Sequence, residues 1–231
     1  MDQRIQAVYE AVINGAMADT SGLVQDALDA GHDANSILKD GLIAAMGEIG
    51  HKFEIGEAYV PEMLISAKSM KFGLELLRPH LVAADVQPIG RVVIGTIKGD
   101  LHDIGKNLVG MMMEGAGFEV IDLGVDVKPE ELIDAINKHK PNIVAMSALL
   151  TTTMGNMKTA ITMMEEAGVK DNLKVMVGGT AVTQDYATEI GADGFSVDAS
   201  QAASLAKKKY CKDVKPPRIE LTRRFFYLIL K

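Results

Sequence analysis

The feature that most constrains this chain is an alternation that begins at Arg91 and persists to residue 209. Short apolar runs rich in β-branched residues occur at 91–97, Phe118 to Ile121, Ile143 to Met146, Leu173 to Val177 and Gly194 to Val197. Segments with helical spacing of their apolar residues lie between them, at 105–116, 129–138, 154–167, 183–190 and 199–209. Short apolar runs bounded by turn residues read as buried strands, and the longer periodic segments read as helices. Successive βα units predict an α/β domain with a doubly wound (Rossmann or flavodoxin-like) five-stranded parallel sheet. The commonest five-stranded order is 2-1-3-4-5, with ligands bound at the carboxyl ends of the strands where strands one and three diverge.

That order decides which sequence features meet. The ends of strands one, three and four carry Gly99 to Gly105, Ser147 to Thr153, and Gly178-Gly179. Those three strands are neighbours in the expected sheet, so the three stretches converge on one crevice.

The first stretch carries the most chemistry. In Asp100-Leu101-His102, residues two apart in an extended loop point to the same side. The Asp100 carboxylate therefore reaches one ring nitrogen of His102, fixes its tautomer, and leaves the other nitrogen for a metal or a proton. Taken alone, an Asp-x-His pair fits a satisfied loop histidine as well as a ligand. Gly178-Gly179 alone reads equally as a turn after strand four. Lys106 and Asn107 read either as groups that position a ligand or as solvated residues at a helix start.

Lys98 to Asn107 closely resembles the Asp-x-His-x-x-Gly signature of cobalamin (corrinoid)-binding domains. The likeness is greatest to the methyl-carrying kind, found in cobalamin-dependent methionine synthase and in the small corrinoid proteins of methyltransferase systems. Ser147-Ala148-Leu149 matches the family's Ser-x-Leu, and Gly178-Gly179 its Gly-Gly. The resemblance implies that His102 is the lower axial ligand of the corrinoid cobalt, with Asp100 its supporting carboxylate. It implies that Asp103, Ile104 and Gly105 border the cofactor, and that Ser147 and Leu149 line the slot of the displaced nucleotide tail. Thr151 is expected to touch the cofactor near the sheet end. Thr153 stands where methionine synthase continues its His-Asp relay with a serine. Gly178 and Gly179 are expected to allow close backbone approach.

Before the alternation, apolar residues recur at helical spacing. Ile5, Val8, Val12 and Ile13 suit a first helix; Leu23, Ala27 and Leu28 a second. A third, capped by Asp33, carries Ile37, Leu42, Met46, Ile49 and Phe53. A fourth opens at Pro61 and runs through Met63, Leu64, Ala67, Met70, Leu74 and Leu77 to Pro79. Short connections predict a four-helix bundle. The organisation is therefore a helical cap at 1–82, a linker at 83–90 rich in Pro and Gly, a cobalamin-binding domain at 91–211, and an uncertain tail at 212–231. Phe53 to Met63 resembles the cap segment of methionine synthase, which implies that Tyr59, Val60 and Met63 shield the upper face of the cobalt. Joining the bundle core is the plainer reading of the same residues.

Composition narrows the remaining classes. A net charge of −7 gives no reason to expect nucleic acid. One cysteine, Cys211, excludes an internal disulfide framework. An amphipathic opening in place of an apolar leader predicts a cytoplasmic setting. The six-residue apolar run near the end of the tail is far short of the roughly 20 residues of a membrane span. His32, His51, His80 and His139 lie near helix ends or in connections and read as structural, and Met111 to Met113 as core filling.

Together these expectations describe a corrinoid methyl carrier. A donor-specific methyltransferase would load it at Co(I), and an acceptor methyltransferase using tetrahydrofolate or a thiol would unload it. A reductive activase joins that set of partners. The chain offers no nucleophile or substrate pocket of its own. The alternatives are a cobalamin subunit of an adenosylcobalamin-dependent mutase, which would lack the N-terminal bundle, and a corrinoid-sensing regulator, which would need a basic recognition helix.

Overall fold

The computed structural model describes residues 2–213. Helix α1 (Gln3–Ile13) starts where the Asp2 side chain accepts the Arg4 amide, and α2 (Met17–Asp29) returns beside it. A short helix α3 (Ala34–Ser36), capped by Asp33, leads into a π-helical stretch, Ile37–Ile43, and then α4 (Ala44–Glu54). The sequence reading expected one plain helix here. The π stretch holds Gly41 close to α1, where a Cβ would meet Val8 Cγ1 at 3.1 Å. A π stretch of seven residues is uncommon, since π geometry appears mostly as single turns inside α-helices.

Helix α5 (Val60–Ala83) begins with Glu62 accepting the Tyr59 amide at 3.0 Å, and with Pro61 in its first turn. It continues past Pro79, where the sequence reading ended it, so the linker expected at 83–90 starts one residue later. A helical proline costs about 3 kcal/mol. Burial of Leu77 and Leu81 in the core on either side of it favours continuing the helix.

The sheet is all parallel, as the alternation predicts, and has the commonest five-stranded order, β2-β1-β3-β4-β5. Its strands are β1 (Arg91–Thr96), β2 (Glu119–Asp122), β3 (Ile143–Ser147), β4 (Lys174–Gly178) and β5 (Gly194–Phe195). The helices between and after them are α6 (Ile104–Gly115), α7 (Pro129–His139), α8 (Thr151–Glu166), α9 (Gln184–Glu189) and α10 (Ala199–Asp213). Register sets Thr96, Ser147 and Gly178 in one row at the carboxyl ends of the three central strands.

Several boundaries differ from the sequence reading, and two of them lie at the carboxyl end of the sheet. Strand β5 pairs with β4 over two residues only, Met176 with Gly194 and Val177 with Phe195, and β4 itself ends at Gly178. Helix α8 starts at Thr151 instead of 154 because a buried carboxylate, described below, holds amides at its N-terminus.

Two apolar cores flank the sheet. One is closed by α7, α8 and α9. The other is continuous from the sheet through α6 and α10 into the helical bundle. Close approach of α4 to α6 makes that continuity. Added Cβ atoms at Gly115 and Gly50 would meet Met46 and Met112 at 3.0 Å, and one at Gly117 would meet Ile43 at 3.2 Å. These contacts run in opposite sequence directions, so α4 is antiparallel to α6. Its end reaches α10, where Ser200 Oγ donates to Glu54 at 3.0 Å. The turn from Ile55 to Tyr59 therefore lies at the same end of the molecule as the start of α6 and the carboxyl ends of the strands. Among the described residues no helix is long and apolar enough to cross a membrane. The tail reading falls, from residue 214 on, outside the described residues.

Candidate functional site

The loop from β1 to α6 is shaped by its backbone first. Asp100 donates its amide to the Ile97 carbonyl at 3.1 Å, with Gly99 at φ 83°, the left-handed region that glycine enters without strain. Thr96 Oγ1 donates to the His102 carbonyl at 2.9 Å. These bonds turn the loop so that the Asp100 side chain drops into the protein and the His102 ring rises out of it.

Asp100 is 0% exposed. Its Oδ1 accepts the His102 amide at 3.0 Å and lies 2.7 Å from His102 Nδ1. Its Oδ2 accepts the amides of Leu149 at 2.8 Å and Leu150 at 3.2 Å. Thr153 Oγ1 lies 3.1 Å from the same oxygen and 2.9 Å from the Leu150 carbonyl, so its single proton serves one of the two at a time. Burial by itself pushes this acid up, but the bonds from His102, Leu149 and Leu150 outweigh it and hold the carboxyl well below the usual range. The favourable end of the α8 dipole adds to the same preference. Asp100 is thus a carboxylate whose buried charge is met on every side.

An ionised Asp100 selects the tautomer of His102 with hydrogen on Nδ1, leaving the lone pair on Nε2. The His102 side chain is half-exposed, and Nε2 has no hydrogen-bond partner among the described residues. No group of three or more metal-ligating side chains occurs among the described residues. The crevice therefore offers a metal one imidazole nitrogen, a donor set that suits an ion delivered inside its own macrocycle.

The sheet end that carries His102 presents exposed apolar side chains. Leu101 is 71% exposed, Ile104 77% and Val197 72%, and Val125, Leu149 and Leu150 are also exposed. Each lies in a segment that follows the carboxyl end of a strand. Large apolar side chains gathered at a surface mark a binding face. Gly105, in the first turn of α6, has nothing within 4 Å of where a Cβ would stand. That space is open.

The other expected residues divide clearly. Ser147 ends β3 in the aligned row, and Thr151 and Leu149 are exposed beside it. Asp103 accepts the Asn107 side chain at 3.0 Å. Gly179 has φ 120°, and a Cβ there would stand 2.0 Å from the Ala148 carbonyl oxygen. Close approach at Gly179 is therefore made by the protein's own β3 loop. At Gly178 an added Cβ would meet only the Ser196 carbonyl, at an ordinary 3.4 Å. Lys106 is neither solvated nor directed at a ligand: it is 2% exposed, pairs with Asp122, and donates to Asn107 at 2.6 Å. Tyr59 and Val60 are exposed at the crevice end of the bundle, whereas Met63 is wholly buried in the bundle core. For Met63 the plainer reading of the sequence describes this conformation.

Sequence reasoning missed the Leu150 amide, the apolar groups Val125 and Val197, and Asp126, which holds the far side of the loop. Apolar residues in strand-to-helix connections were the available signal for the valines. Asp126 carried none.

Comparison with known proteins bears on the family. A family model described as a B12 binding domain matches residues 90–204, and a second of the same description matches residues 4–78. Trimethylamine corrinoid protein 1 of Methanosarcina acetivorans is 41% identical over 187 residues, covering 80% of this chain and 87% of the relative. Among solved structures, the methanol:cobalamin methyltransferase complex from Methanosarcina barkeri superposes with a TM-score of 0.83 and 32% identity, over 91% of this chain and 80% of that one. A cobalamin-binding protein from Desulfitobacterium hafniense gives 0.73 and 27%, over 88% and 97%.

Proposed function

The chain belongs to the family of corrinoid proteins built on B12-binding domains, and from that premise we propose that it carries a methyl group between two methyltransferases, with His102 as the protein's ligand to cobalt. The bound corrinoid supplies the metal centre that accepts and releases the methyl group. The observation that carries the reading is the free Nε2 of His102, backed by a buried Asp100, at a sheet end that presents exposed apolar side chains.

Each group then has a task. Asp100 holds the Nδ1 proton and so keeps the lone pair on Nε2. The amides of Leu149 and Leu150 hold Asp100 ionised, and Thr153 adds a hydroxyl that either accompanies the carboxylate or turns to the Leu150 carbonyl. That switch gives the Asp–His pair a route for a small change in proton sharing. Leu101, Ile104, Leu149 and Leu150 exclude water from the lower side, with Asp103, Gly105, Ser147, Thr151, Gly178 and Gly179 bordering the same crevice. Tyr59 and Val60, at the same end on the helical region, form the upper cover, where exclusion of water protects a reactive metal. Residues 1–82 act as this cap and 91–211 as the corrinoid domain, joined by 83–90.

A donor-specific methyltransferase, an acceptor methyltransferase using tetrahydrofolate or a thiol, and a reductive activase are the partners. The likeness to a solved methyltransferase complex supports the first of these.

The test is the absorption spectrum of the protein reconstituted with methylcobalamin. Wild type shows the base-on form and His102→Ala the base-off form. Identical spectra from the two proteins remove His102 from cobalt. A folded wild type that binds no cobalamin overturns the carrier reading.

A further inference from the structure

The β1–α6 loop is held from outside by the loop that follows β2. Asp126 Oδ1 accepts the Gly99 amide at 2.7 Å, and the Asp126 amide donates to the Asp100 carbonyl at 3.0 Å. The two bonds clasp Asp126 to two successive residues of the loop, the farther of them 27 positions away in sequence. It closes on the two residues that precede Leu101-His102. Asp126 has φ 55°, one of three non-glycine residues with positive φ among those described. A left-handed conformation at a non-glycine residue costs about 1 kcal/mol or more and persists only where its surroundings hold it.

The neighbouring bonds show how it is held. Thr96 donates its amide to the Gly124 carbonyl at 3.0 Å, and Val127 donates to the Thr96 carbonyl at 2.9 Å. Val127 is buried against Gly95, where an added Cβ would come within 2.9 Å. The segment is therefore pinned to β1 on both sides of Asp126, and the left-handed turn at 126 points its amide and carboxylate at the loop. Asp126 has no ion-pair partner among the described residues. Its carboxylate bonds to a backbone amide of the loop.

We infer that Asp126 is a positioning residue for His102. It fixes Gly99 and the Asp100 backbone, which sets the depth of the Asp100 carboxylate, which in turn sets the tautomer and direction of the His102 ring. A working side chain keeps its geometry only when the groups behind it are themselves held. The inference rests on the reading of Nε2 of His102 as the working atom, but its test separates the two.

The variants are Asp126→Gly, which accepts φ 55° and lacks the acceptor, and Asp126→Asn, which keeps an acceptor and tolerates the same φ. In the cofactor-free full chain, amide exchange at Gly99 and the nitrogen resonances of the His102 ring are read by NMR. Loss of one hydrogen bond in Asp126→Gly speeds Gly99 exchange about five- to tenfold and lowers the share of the Nδ1–H tautomer. Asp126→Asn restores both. Loaded with methylcobalamin, Asp126→Gly shows a larger base-off fraction than wild type. Gly99 protection and His102 ring resonances that match wild type in Asp126→Gly overturn the inference. Failure of the cobalt reading has a different signature: spectra unaffected by His102→Ala, with the cofactor-free loop still loosened by Asp126→Gly.

Discussion

Asp100 Oδ1 lies 2.7 Å from Nδ1 of His102, yet one side chain is wholly buried and the other half-exposed. The pair spans the boundary between the protein interior and the crevice. Buried charge on one side is converted into an oriented lone pair on the other.

The first consequence is a pH dependence. The folded-state acid of Asp100 lies below its ordinary value of 3.8. A depressed acid contributes stability above its unfolded pKa, and that contribution is lost as pH falls through the folded value. Cofactor-free protein therefore keeps the Asp100 contribution at neutral pH and loses it progressively below about pH 4. Urea unfolding between pH 2 and 6 shows a shallower acid slope for Asp100→Asn than for wild type. At neutral pH the variant is less stable by about 1–3 kcal/mol, because an amide brings donors to a site filled with donors.

Thr153 tests the hydroxyl separately. Thr153→Ser keeps Oγ near Asp100 Oδ2 and unfolds within about 0.5 kcal/mol of wild type, whereas Thr153→Val loses about 1 kcal/mol. The base-on fraction with methylcobalamin falls in Thr153→Val and holds in Thr153→Ser.

Two glycines give contrasting tests. Gly179→Ala places a methyl against the Ala148 carbonyl at positive φ and destabilises the cofactor-free protein by about 2 kcal/mol or more. Gly105→Ala meets no protein atom, so the cofactor-free protein is unchanged or gains up to about 1 kcal/mol. Its cobalamin binding falls by about tenfold or more, a loss of about 1.4 kcal/mol. Thermal or urea unfolding beside cobalamin titration distinguishes the two cases.

Lys106→Met keeps the buried stem and removes the ion pair with Asp122. Asp122 is half-exposed and water replaces the ammonium, so the loss is about 1–3 kcal/mol, below that for a wholly buried pair. Lys106→Ala costs more, since it also empties the space of the stem. Equal losses in the two variants, measured by urea unfolding, would show that packing of the stem contributes nothing.

Much of this molecule is legible in its sequence because the relevant physics is local. The period of apolar residues distinguishes strand from helix, so the alternation after Arg91 predicts a parallel sheet, and the commonest order for five strands, 2-1-3-4-5, is the one found. The Asp-x-His spacing likewise predicts a carboxylate beside an imidazole, and Asp100 and His102 meet as expected. Helix bounds were less legible where distant groups act. Thr151 starts α8 because amides at that end bond a carboxylate about 50 residues away in sequence, and Pro79 lies within α5 because Leu81 packs in a shared core.

Tertiary structure alone decided the rest. Gly179 faces Ala148, Lys106 is buried against Asp122, Met63 belongs to the bundle core, and Asp126 clasps Gly99. None of these partners lies within a turn of its mate in sequence, and no periodicity relates them. Residue type and spacing determined the elements and the chemistry of the Asp100–His102 pair. Hydrogen bonds and packing between elements determined which side chains are held, which are buried, and which ring nitrogen is left free.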